Sequence, residues 1–150
     1  MRVRTSVTIN KSPAEVWPLL CSSKMDPRIP CYFRLGIPKP LECRLPSGVG
    51  GVGAERQCLS DRGVVHQRIT CWEEGRVLRF QMEDTNIYFR KCVTGIFEEF
   101  VLEPVGDGQT VVTRTTRISV SGFGGFFKAL VMCSGLKCVH LYVFKNWARG

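Results

Sequence analysis

The chain has 150 residues, 44% hydrophobic and 23% charged, with a net charge of +8. That length fits one domain able to bury roughly 70% of its unfolded surface, and the composition is that of an ordinary globular protein without a disordered tail or a repeat. The 21 Lys and Arg residues are scattered, with no basic run and no interleaved aromatic ladder, so the charge speaks for solubility and against a nucleic-acid partner.

Arg2 to Asn10 alternates, with Val3, Thr5, Val7 and Ile9 on one face and Arg2, Arg4, Ser6 and Thr8 on the other, the pattern of a half-buried strand. It carries no apolar leader ending in a small-residue cleavage site, so a cytoplasmic protein is expected. Ser12 is an N-cap, Pro13 suits the first helical position, and Glu15 completes a capping box. Val16, Trp17, Leu19 and Leu20 then give a short helix its apolar face, and Pro27 and Pro30 limit any second helix to a short piece.

Leu41 to Leu45 reads as the next strand. The glycine-rich stretch Gly48 to Gly53 follows it. A phosphate loop would need a helix after it and a closing Lys-Ser/Thr; here a strand follows, so the glycines are expected to form a tight, mobile turn beside a pocket mouth. Further strands are predicted over Ala54–Ser60, Val64–Trp72, Val77–Met82, Val93–Glu103 and Thr110–Val120, joined by Asp61-Arg62-Gly63, Glu73-Glu74-Gly75 and Gly106-Asp107-Gly108. Consecutive strands with short turns are antiparallel neighbours. A final helix from Gly125 to about Trp147 would be roughly 34 Å long at about 1.5 Å per residue. Lys128, Lys137 and His140 interrupt its apolar run, which makes it a poor membrane span, so no stable membrane insertion is expected.

The helix is apolar on more than one side. Phe127, Leu130, Val131, Cys138 and Leu141 form one stripe; Phe126, Cys133, Leu136, Phe144 and Trp147 form another. The sheet can bury only one stripe fully, so loops, a second subunit or a membrane surface would meet the other, and a homodimer through this helix is one outcome. The eight cysteines contain no Cys-x-x-Cys pair and no Cys/His cluster with zinc spacing, which predicts no metal, no cofactor and reduced thiols.

Strand, helix, a meander of strands and one long helix is the order of a sheet wrapped around a helix. The order and spacing of Val7-Thr8-Ile9, Ser12-Pro13-Ala14-Glu15-Val16-Trp17, Gly53-Ala54-Glu55-Arg56, Ile69-Thr70-Cys71-Trp72, Gly75-Arg76-Val77-Leu78-Arg79-Phe80 and Phe100-Val101-Leu102-Glu103-Pro104 resemble the START-like, Bet v 1-like (SRPBCC) superfamily, of the polyketide cyclase/dehydrase and lipid transport type. The resemblance implies one α+β domain with the helix-grip fold: a curved antiparallel sheet of about seven strands around the C-terminal helix. It also implies a cavity for a small hydrophobic ligand such as a lipid, polyketide or aromatic compound. It does not fix an activity. Plant hormone receptors of the superfamily carry a Ser-Gly-Leu-Pro-Ala gate and a His-Arg-Leu latch; Ser60-Asp61-Arg62-Gly63 stands near the gate's place and no His-Arg-Leu occurs, which disfavours that role.

Within such a fold, alternation assigns the inward face. The turn around Asp107 sets Leu102 opposite Val112, Phe100 opposite Arg114 and Glu98 opposite Thr116, making Glu98 and Arg114 diagonal neighbours. The turn at Asp61-Arg62 sets Arg56 opposite Gln67. The expected ligand-binding residues are Arg56, Gln67, Phe80, Met82, Glu98, Phe100, Leu102, Arg114, Ile118, Leu130 and Leu141. Inward charges among apolar walls need partners. Either Glu98 pairs with Arg114 or Arg56, or these groups meet a polar group of the ligand; a register shifted by one residue would instead turn them all outward. His66 is expected at the surface, His140 near the pocket edge, and Tyr32 and Tyr88 in loops that could roof the cavity.

Three functions follow. The first is non-catalytic binding or transport of the hydrophobic ligand. The second is a cyclase or dehydratase, with Glu98 as acid/base and Arg56 or Arg114 stabilising an enolate. The third is an interaction module with a closed core. No inward His with an orienting partner is legible, which favours binding.

Overall fold

In the computed structural model the alternating N-terminal stretch forms strand β1 (Arg2–Ile9), and helix α1 (Pro13–Cys21) follows. The structure describes residues 1–28, 33–34, 37–87, 91–122 and 125–149, apart from the side chains of 125–130. The capping box at α1 is formed: the Glu15 N–H donates to Ser12 Oγ at 3.3 Å, and the Ser12 N–H donates to Glu15 Oε2 at 2.7 Å. Strands β2 (Ser23–Lys24), β3 (Pro40–Arg44), β4 (Glu55–Ser60), β5 (Gly63–Glu73), β6 (Val77–Thr85), β7 (Val93–Val105) and β8 (Gln109–Val120) precede helix α2 (Gly125–Arg149).

Among the described residues the strands make one antiparallel sheet of eight, in the order β1-β8-β7-β6-β5-β4-β3-β2. The strand beyond the expected seven is β2, whose two residues are too few to show alternation. Short turns fix the hairpin registers: Leu102 faces Val112, Phe100 faces Arg114, Glu98 faces Thr116, and Arg56 faces Gln67.

The sheet curls around α2, and one core joins them. Leu78, Phe80, Phe100, Leu102 and Val112 of the sheet meet Tyr142, Val143, Phe144 and Trp147 of α2 and Val16, Trp17 and Leu20 of α1. The glycine-rich turn has a packing role. A Cβ at Gly50 would run into the Trp72 ring, which itself stands edge-on to Trp17 at 5.1 Å. Residues Gly48 to Gly53 do not line the large cavity described below. Among the described residues no helix is long and apolar enough to cross a membrane.

Candidate functional site

Between the concave sheet and α2, from Val131 to Trp147, lies a cavity of about 690 Å³, within the range of small-molecule sites. Arg56 and Cys58 of β4, Gln67 of β5, Glu98 and Phe100 of β7, and Arg114 and Ile118 of β8 form its sheet wall. Met132, Leu136, Val139, Val143 and Trp147 of α2 form the opposite wall, with Ile37, Pro38 and Pro40 at one side.

The polar groups divide into two clusters. In the first, the Arg114 guanidinium donates from Nε to Glu98 Oε2 and from Nη2 to Glu98 Oε1, both at 2.8 Å. The side chains are 12% and 5% exposed. This bidentate pair satisfies both carboxylate oxygens. Burial works against the Arg114 charge, and Glu98 outweighs it, so the guanidinium is held above its ordinary range.

The second cluster centres on Arg56, which is 2% exposed. Its Nε and Nη2 donate to the Leu20 carbonyl at 3.1 and 2.9 Å, and Nη1 donates to Gln67 Oε1 at 2.6 Å and Cys58 Sγ at 2.8 Å. Leu20 lies in the last turn of α1, where carbonyls lack helical partners and carry the negative end of the dipole. Arg56 thus caps α1 from inside the sheet. Its guanidinium also lies 4.4 Å from the Phe80 ring centre, a cation–π contact. Among the described residues it has no carboxylate within ion-pair distance. Burial opposes its charge, but the neighbouring sulfurs of Cys58 and Cys43 and the more distant Glu98 hold it protonated.

Six of the residues expected at the site line this cavity: Arg56, Gln67, Glu98, Phe100, Arg114 and Ile118. Phe80 and Leu102 are buried in the core instead, without lining it; Phe80 lies behind Arg56. Met82 is half-buried and does not line the wall, although it pairs with Gln67 across β5 and β6. Leu141 is 51% exposed and faces away. The side chain of Leu130 and the whole of Tyr32 and Tyr88 lie outside the described residues.

His140 is wholly buried and is not at the pocket edge. It is held between Thr5 Oγ1, 3.1 Å from Nδ1, and Thr116 Oγ1, 2.8 Å from Nε2. Burial, aided by the Arg114 charge, pushes its pKa down to about 2, so the ring is neutral. His66 lies at the surface beside Glu55. Sequence reasoning missed the pairing of Cys43 with Cys58, which stand opposite each other on the wall with sulfurs 2.6 Å apart. It also missed Lys39, 1% exposed, whose Nζ donates to the Asp26 carbonyl at 2.7 Å and ties down the chain beside the cavity.

The sequence profile described as polyketide cyclase / dehydrase and lipid transport matches residues 1–140. None of the curated proteins matches the chain. Among solved structures, a protein from Thermus thermophilus superposes with a TM-score of 0.68 at 14% identity, covering 99% of this chain and 95% of that one. A START superfamily protein from Mycobacterium smegmatis gives 0.60 at 13% identity, with 92% of both chains covered. A point mutant of norcoclaurine synthase from Thalictrum flavum, in complex with a transition-state analogue, gives 0.57 at 14% identity, covering 98% and 93%. At such identities the likeness is one of fold.

Proposed function

The chain belongs to the polyketide cyclase/dehydrase and lipid transport family, and on that premise we propose that it binds or carries a small hydrophobic molecule bearing one anionic or carbonyl oxygen. The observation that carries this reading is Arg56: a buried guanidinium on an apolar wall whose described partners are neutral acceptors and a thiol. A guanidinium has five N–H donors. Four are engaged, which leaves one on Nη2 for a ligand oxygen. Gln67 and Arg114 flank it on the same wall, while Phe100, Ile118, Leu136 and Val139 supply apolar contact.

Binding is favoured over acid–base chemistry because both oxygens of Glu98, the best catalytic candidate, accept from Arg114. The cavity volume speaks against a closed, purely structural core. Native mass spectrometry of freshly purified protein tests the reading. A co-purified apolar acid, phenol or ketone supports it. An empty protein that also fails to bind a naphthalene sulfonate saturably refutes it.

A further inference from the structure

The wall of the cavity contains a group that ligand binding does not use. Cys43 of β3 and Cys58 of β4 are direct cross-strand partners. Such partners have Cα atoms about 4.5–5.5 Å apart, inside the roughly 4.4–6.8 Å span that a disulfide bridges. Their sulfurs lie 2.6 Å apart as free thiols, inside the roughly 3.5–4.0 Å of ordinary non-bonded contacts. Cys43 is buried from bulk solvent, yet both residues face the cavity, so a small reagent entering there meets them. Arg56 Nη1 sits 2.8 Å from Cys58 Sγ, and a guanidinium beside the pair favours the loss of one of its two protons.

We propose that Cys43 and Cys58 are a dithiol that a hydroperoxide converts into a disulfide, clipping β3 to β4 on the cavity wall. In the first step one thiolate attacks the peroxide: an S–O bond forms, the O–O bond breaks, and an alcohol or water leaves after taking up a proton. The second sulfur then attacks the sulfenic acid. The S–S bond forms, the S–O bond breaks, and the hydroxyl departs as water with the second thiol's proton. Two thiols and one hydroperoxide become one disulfide, one alcohol (or water) and one water.

The local charge fits this order of events. The Cys58 hydrogen bond, working against burial and helped by the charges of Arg56 and Arg114, lowers Cys43 to about 6. The same bond and burial raise Cys58 well above the ordinary thiol range. The pair therefore releases one proton readily and keeps the other. The remaining described cysteines (21, 71, 92, 133 and 138) are not paired with one another across the sheet in this way. Closing the pair would also tie off the segment between them, which contains the glycine-rich turn, and would turn the thiol that Arg56 Nη1 contacts into a disulfide sulfur.

Peptide mapping tests the proposal. Reduced protein is treated with hydrogen peroxide, remaining thiols are alkylated, and trypsin is applied without reductant. Lys39 is followed by Pro40, so the two cysteines fall in separate peptides, Leu35–Arg44 and Gln57–Arg62. The expected product is these two peptides joined, lighter by two hydrogens than their sum, with a loss of two titratable thiols per chain. Cys43→Ser and Cys58→Ser should each abolish that species. The proposal is overturned if both peptides are recovered alkylated after peroxide has oxidised other thiols of the chain, if the sulfurs stop at sulfinic acid, or if the cross-link joins other cysteines. The wild-type map alone decides the matter should either variant fold poorly.

Discussion

Arg114→Met removes one partner of a buried ion pair and leaves Glu98 behind it. Its carboxylate is 5% exposed, and the two bonds that replace its water, both 2.8 Å, come from the lost guanidinium. Breaking such a pair from one side costs about 3–5 kcal/mol. For a chain of this size each kcal/mol moves the midpoint by about 2–4 °C, so a fall of about 10–15 °C in Tm is expected. Urea unfolding at pH 7 reads the free energy directly. The double variant Glu98→Leu/Arg114→Met leaves no orphaned charge, and a buried pair replaced by apolar groups is often neutral in effect; it should recover most of the loss. A loss below about 1 kcal/mol for Arg114→Met, the range of solvated pairs, would refute the reasoning. A double variant as unstable as the single one would also refute it, because packing rather than charge would then account for the cost.

Arg56→Met should weaken binding of an anionic naphthalene sulfonate at least tenfold, about 1.4 kcal/mol, in a fluorescence titration; unchanged affinity would remove Arg56 from the site. His140 titrates at about 2 in the folded chain and near 6.5 when unfolded. Its contribution is therefore intact above pH 6.5 and is lost as the pH falls toward 2. Between pH 7 and pH 5 the wild type should lose about 2 kcal/mol, at about 1.4 per pH unit below 6.5, in urea titrations. His140→Gln should lack that part of the slope, and parallel curves for the two proteins would contradict the assignment. Gly50→Ala places a methyl group into the Trp72 ring and should cost about 1–3 kcal/mol by overpacking, measured in the same assay; a neutral result would mean that the turn can yield.

The pairing of Glu98 with Arg114, and of Arg56 with Gln67, was legible in the sequence because short turns fix the registers of these hairpins, and alternation then fixes the faces. Alternation does not say how far along a strand the cavity extends, and so Phe80 and Leu102 share the inward face yet fill the core. Met82 likewise sits opposite Gln67 and yet lies off the wall. The orientation of α2 was hidden because both of its sides are apolar; the cavity side holds Val139, Val143 and Trp147, while Leu141 faces outward. Cys43 and Cys58 are joined by a long connection rather than a tight turn, so no local signal fixed their pairing. The threonines that clamp His140 come from β1 and β8, distant in sequence, and no pattern near His140 announces them.

The sheet order places the start of the chain beside its far end: Arg2 pairs with Arg117, and Ile9 with Thr110. The segment containing β1, α1 and β2 supplies both outer strands of the sheet, with α1 joining them. During synthesis, β1 must therefore wait until β8 has left the ribosome, and α2, on which the core closes, is made later still. The hairpins from β4 to β8 can form locally, but each lacks its cover until then. Closing such distant contacts is slow, and exposed strand edges invite pairing with other chains in the interval. Refolding should accordingly be limited by docking of the first strand and the last helix, and a chain released before about residue 120 should be prone to aggregate.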